Sequence, residues 1–212
     1  MQILLTSLFL FLSVAQAADP NKPHPHNGVA TKFTNPQKAS LTSTDVQQLA
    51  SGKPVFKQVR AGNGGRGIAV FDVQASEQTV WGVISSFEKY PVWIDGLAKC
   101  DVYKKDGNTI YADFVISTWG VEVQYYIEHD YAPEKGYLTW ALDYSRESDL
   151  DDSTGYWLVY PSPIDPTKTR VEYSVDLRIK GWVPTFIQTM LAESGVEDAT
   201  TWVKREAEKR AK

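Results

Sequence analysis

The sequence predicts an α+β fold in which one curved antiparallel sheet is closed by a long C-terminal helix, a cup suited to an apolar molecule. Three observations predict it. Segments of alternating polarity run from Thr109 to Ile179 with short turns between them. Two short helical segments come before this run, between Ala75 and Leu97. One long apolar stripe at helical spacing comes after it, from Pro184 onward. A parallel α/β fold would alternate strand and helix throughout, and this order does not.

The 212 residues suit one domain with extensions, and 42% apolar residues, with seven Trp, eleven Tyr and eight Phe, can build a core and still line a cavity. A net charge of -4 and the lack of any Lys/Arg-rich run speak against nucleic acid as a partner.

Residues 1–17 carry no charged side chain and end in Ala15-Gln16-Ala17, a small-x-small cleavage pattern. The apolar run of about a dozen residues is short for a bilayer core of roughly 30 Å. It reads as a signal peptide cleaved after Ala17, which makes the protein secreted or periplasmic, with no stable membrane span after cleavage. The single cysteine, Cys100, excludes an intrachain disulfide. Residues 18–41 hold prolines at 20, 23, 25 and 36 without periodicity and read as an extended linker. His24 and His26 lie there, two solvated imidazoles on a flexible chain rather than a metal site.

Residues 42–66 form an N-terminal extension. Thr42 to Ala50 predicts a short capped helix and Val55 to Arg60 a strand. Gly62-Asn63-Gly64-Gly65-Arg66-Gly67 lacks the Gly-Lys-[Ser/Thr] ending of a phosphate loop. A strand follows it, so it reads as a hairpin turn. The main domain spans 67–212. Ile68 to Val73 is its first strand, and Ser76 caps a helix through Ser86 that Tyr90-Pro91 breaks. Strands then follow at 100–104, 109–119, 121–131, 137–143, 154–160 and 169–179. Their alternation makes a meander with one wet face. The closing helix is expected to run roughly 25 residues from Pro184, with Gly195 a point of bending.

The segment Val80-Trp81 followed by Phe87-Glu88-Lys89-Tyr90-Pro91 is similar to the first-helix pattern of the START-like (SRPBCC) superfamily. That superfamily has the helix-grip fold and includes polyketide cyclases and coenzyme Q-binding proteins. The resemblance covers about Gly67 to Lys209. It implies a ligand cavity between the sheet and the long helix.

Inward-facing positions supply the expected lining: Phe114, Ile116, Val123, Tyr125, Trp140, Leu142, Tyr156, Leu158, Tyr173 and Val175 from strands, and Phe186, Met190 and Leu191 from the helix. His129 shares a strand face with Tyr125 and Ile127 and is a candidate for acid–base work, with a cavity tyrosine as the alternative and a structural hydrogen bond as the competing role. Asp149, Asp151 and Asp152 read as a solvated turn, and Arg146 as a surface residue able to meet a ligand carboxylate at the cavity mouth. No cofactor and no metal site is expected. Three functions stay open: an exported binder or carrier of a lipid or other hydrophobic small molecule, a cyclase-like enzyme on an aromatic or polyketide substrate, and a protein-interaction module.

Overall fold

The computed structural model describes residues 18–61, 64–118, 120–179 and 195–212. Helix α1 (Ser43–Ala50) leads into strands β1 (Val55–Ala61) and β2 (Gly64–Val73). Helix α2 (Glu77–Ile84), a short 3-10 turn and the single-turn helix α3 (Tyr90–Trp93) follow. Then come β3 (Leu97–Asp106), β4 (Thr109–Thr118), β5 (Val121–Ala132), β6 (Tyr137–Leu142), β7 (Leu150–Pro161) and β8 (Thr169–Ile179). Helix α4 (Gly195–Arg210) closes the described chain.

All eight strands form one antiparallel sheet in the order β1-β2-β8-β7-β6-β5-β4-β3. Strand β2 pairs with the last strand while β3 starts at the opposite edge. The α2–α3 connection therefore has to travel from one side of the sheet to the other. It caps the concave face on the way, burying Val80, Trp81, Val83 and Ile84 from α2. Local chemistry sets the helix starts. Thr42 and Asp45 exchange hydrogen bonds in a capping box at α1, and the Ser76 hydroxyl accepts from the Thr79 amide at α2. Helix α4 lays Trp202, Val203 and Ala207 against the same concave face.

The convex face is not the wet face that alternation predicts. The proline-rich segment, expected as an extended linker, lies across it. Backbone N–H groups of Val29 and Ala30 both donate to Asp152 Oδ2 at 2.7 Å, and the Ala39 amide donates to Glu172 Oε2 at 2.8 Å. Phe33 meets Tyr156 edge-on at 4.9 Å. Asp152 and Glu172 are completely buried as a result. Asp152 is thus no part of a solvated turn, and Asp149 likewise accepts the Gln124 amide at 2.7 Å. His24 is buried too: the Ser148 amide donates to its Nδ1 at 3.3 Å and its Nε2 donates to the Asp151 carbonyl at 2.9 Å. Among the described residues no group of three His, Cys, Asp or Glu side chains is arranged to hold a metal.

The Asp152 carboxyl titrates below its ordinary value. Burial pushes it up, but the Ala30 amide, the Tyr144 hydroxyl and the Val29 and Ser153 amides together outweigh burial. Because the folded value is the lower one, this stabilisation is present above pH about 4 and is lost as pH falls through the folded value. Asp152→Ala leaves those donors without their acceptor and is expected to cost about 1–3 kcal/mol. Faster amide exchange at Val29 and Ala30 is the accompanying signature; unchanged exchange there would show that Asp152 does not hold the segment.

Candidate functional site

Alternation in β4, β5, β6 and β8 turns one side chain in two toward the concave face. That face, the α2–α3 connection and α4 line a cavity of about 200 Å3. Six of the expected residues line it: Phe114, Ile116, Tyr125, Trp140, Tyr173 and Val175. Val123 packs on the same face, with Ala69 and Leu150, and Leu142 is in the main core; neither reaches the cavity. Tyr156 and Leu158 do not belong to this site. They point to the convex face and pack with Ala132 and Tyr137 against Phe33. The physical reason is that β7 is buried on both faces from Asp152 to Val159, so its polarity does not reveal which side is inward. Trp157 is the β7 residue that lines the cavity. Phe186, Met190 and Leu191 lie outside the described residues. Arg146 stands away from the cavity, over the Tyr103 ring at 4.2 Å.

Sequence reasoning missed the contributions of Phe87, Tyr90, Ile94, Leu138, Trp157 and Trp202 to the lining. Phe87 and Tyr90 belong to the motif that signalled the fold, and that motif was the available clue. Together with His129, Trp140, Trp157, Tyr173 and Trp202 they close a collar. Centroids run from His129 to Phe87 (4.8 Å), Tyr90 (5.4 Å), Trp202 (4.8 Å), Trp157 (6.2 Å), Tyr173 (4.5 Å), Trp140 (5.6 Å) and back to His129 (6.5 Å). Contacts at these distances fix ring orientation as well as burying area.

The polar groups of the wall are few. His129 Nδ1 lies 3.1 Å from the Ile110 carbonyl. A carbonyl only accepts, so Nδ1 carries the proton and Nε2 is a bare acceptor. Burial holds the imidazole pKa down to about 4, partly opposed by the Ile110 bond. Burial likewise pushes the Tyr125 and Tyr173 hydroxyls above their ordinary value, so both stay protonated. Tyr90 donates to the Ile84 carbonyl and is also raised by burial. Asp95, exposed at the rim, is the one carboxylate among the described lining residues, and no Lys or Arg is among them.

His129 also makes a pH prediction. Its folded pKa of about 4 lies below the unfolded value of about 6.5, so the unfolded chain binds the extra proton first. Stability is expected to fall by about 3 kcal/mol as pH drops through that window, and His129→Gln should flatten this part of the profile. Urea midpoints measured between pH 7 and 4 check it; an identical pH slope in the variant would remove His129 as the cause.

Residues 73–201 match the family described as polyketide cyclase/dehydrase and lipid transport. The chain belongs to that family. Solved structures share its fold at low identity. The Zhui aromatase/cyclase from a Streptomyces species superposes with a TM-score of 0.59 at 15% identity, covering 74% of this chain and 97% of that one. A STAR-related lipid transfer protein from Xanthomonas axonopodis gives 0.58 at 14% identity, covering 73% and 92%. A START superfamily protein from Mycobacterium smegmatis gives 0.53 at 18% identity, covering 69% and 96%. No curated protein matches the sequence. The START-like, helix-grip architecture is therefore this chain's own, and its family's range is hydrophobic-ligand binding or cyclisation.

Proposed function

We propose that the protein is an exported binder or carrier of a hydrophobic small molecule, held between the sheet and the C-terminal helix. The observation that carries this reading is the closed aromatic collar around a cavity of about 200 Å3. Such a wall offers an apolar ligand a desolvated surface with few polar demands. Export rests on the uncharged N-terminal run ending in Ala15-Gln16-Ala17. Native mass spectrometry of protein purified from its own host is expected to show an apolar adduct lost on denaturation. A ligand-free mass, with no uptake of added lipids or aromatics, would sink the proposal. An intact mass beginning at Ala18 checks export.

The cyclase reading has one observation in its favour: His129 presents an unprotonated nitrogen among the lining residues. The same burial weakens that reading. A base whose conjugate acid has a pKa near 4 takes protons poorly at neutral pH, far from the matched value that general-base work favours. Binding without turnover is the stronger use of this nitrogen. The interaction-module reading needs an open sheet face, and the N-terminal segment already lies across the convex one.

A further inference from the structure

We infer that the ligand is an uncharged aromatic compound bearing a hydroxyl group, and that this hydroxyl donates to His129 Nε2. The inference rests on the binding reading above and adds the chemistry of the ligand to it.

The direction of the hydrogen bond follows from the backbone. Ile110 pairs with His129 across β4 and β5, and its carbonyl takes the Nδ1 proton. The tautomer is thereby set, and only a donor can satisfy Nε2. No side chain or backbone group among the described residues makes a hydrogen bond to it. The ring is nevertheless buried and lines the cavity. A ligand that fills the cavity excludes water from Nε2, and an acceptor then left without a donor is costly, so a ligand that supplies one has an advantage over one that does not. The Tyr125 and Tyr173 hydroxyls also line the cavity without a hydrogen-bond partner among the described residues. They offer polar contacts to other oxygens of the same ligand.

The preference for an aromatic ligand comes from the rings of the described lining. Phe114 and Tyr125 stack at 5.3 Å with an interplanar angle of 5°, and Trp140 stacks on Tyr173 at 5.6 Å and 27°. Aromatic side chains thus make up much of the described lining, and an aromatic ligand can add ring contacts of the same kind.

Charge on the described lining disfavours the other polar apolar-tailed classes. A buried carboxylate or phosphate needs a cation or several donors, and the described lining holds no Lys or Arg, with Asp95 at the rim opposing an anion. A quaternary ammonium could lie against aromatic faces. It has no N–H to give, so it would leave His129 Nε2 unsatisfied.

Calorimetric titration of the purified protein with four matched probes tests this: 2-naphthol, 2-methoxynaphthalene, 2-naphthoate and 2-naphthyltrimethylammonium. 2-Naphthol is expected to bind about five- to tenfold more tightly than its methyl ether, the effect of one net hydrogen bond. The charged probes should bind more weakly than either. His129→Phe keeps an aromatic ring beside Phe87 and should abolish the naphthol preference while retaining the ether. Equal affinity for naphthol and ether, tighter binding of a charged probe, or a preference that survives His129→Phe would overturn the inference and leave the binding reading standing. Failure of all four probes, together with a ligand-free native mass, would instead count against the binding reading itself. Should His129→Phe not fold, nitrogen-15 NMR of the native histidines replaces it. The His129 Nε2 resonance must then move with naphthol and stay put with the ether; the same response to both overturns the inference.

Discussion

Arg170→Leu is expected to lower stability by about 3–5 kcal/mol, because it strands a buried carboxylate. Arg170 Nε donates to Asp72 Oδ1 at 2.7 Å and Nη2 to Oδ2 at 2.9 Å, with the two side chains 2% and 5% exposed. The Ser162 hydroxyl completes the carboxylate at 3.0 Å. The pair sits in register across β2 and β8, where the first part of the chain rejoins the last strand. Lys204 of α4 donates to the Asp72 carbonyl at 2.8 Å, so the same residue also ties down the closing helix. Removing both charges together should cost much less than removing one. Asp72→Leu with Arg170→Leu leaves no unpaired ion, and apolar replacements of a buried pair are often near neutral. Urea denaturation of the two variants separates the cases. A loss under about 1 kcal/mol for Arg170→Leu would show that solvent reaches Asp72 in the folded state.

The outcome for each element follows how its residues meet solvent or protein. Strands β4, β5 and β8 were legible because their inward stripes, such as Tyr173, Val175 and Leu177, alternate with polar residues. Alternation finds a face only when the two faces differ. In β7 they do not, since the N-terminal segment buries the convex side, and the sequence pattern consequently turns Tyr156 and Leu158 inward where the fold turns them outward. That segment was itself unreadable for a related reason. Its grip on Asp152 and Glu172 uses backbone N–H groups, which every non-proline residue carries, so no residue pattern marks it. The aromatic lining was half legible. Phe114, Tyr125, Trp140 and Tyr173 follow from strand alternation, whereas Trp157 needed the β7 register and Trp202 needed the docking of α4 against Tyr90 and Trp157.

Gly155→Ala is expected to disrupt the cavity by displacing Trp140. Gly155 lies opposite Trp140 in β6 and Val175 in β8, so it is enclosed by neighbouring strands on both sides. A Cβ built there overlaps the Trp140 ring at Cζ2 and Cε2 and the backbone carbonyl of Ser174. The carbonyl belongs to a paired strand and cannot swing away, so the indole must move. Trp140 is stacked on Tyr173 and lines the cavity, so its displacement breaks the collar between Tyr173 and His129. Overpacking of a dense core typically costs about 1–3 kcal/mol, and the backbone overlap places this case at the upper end or beyond. Two measurements divide the effect. Thermal or urea unfolding reads the strain, while uptake of a fluorescent hydrophobic probe by the still-folded fraction reads the cavity. Loss of uptake at temperatures where the variant remains folded is the expected result. Undiminished uptake would mean that the β6–β7 strands separate to accommodate the methyl group, leaving Trp140 in place. Trp140→Ala in the Gly155→Ala background offers a further check. Removing the indole should recover part of the lost stability, because it removes one of the two overlapping groups, yet it should not restore the wall that the indole supplied.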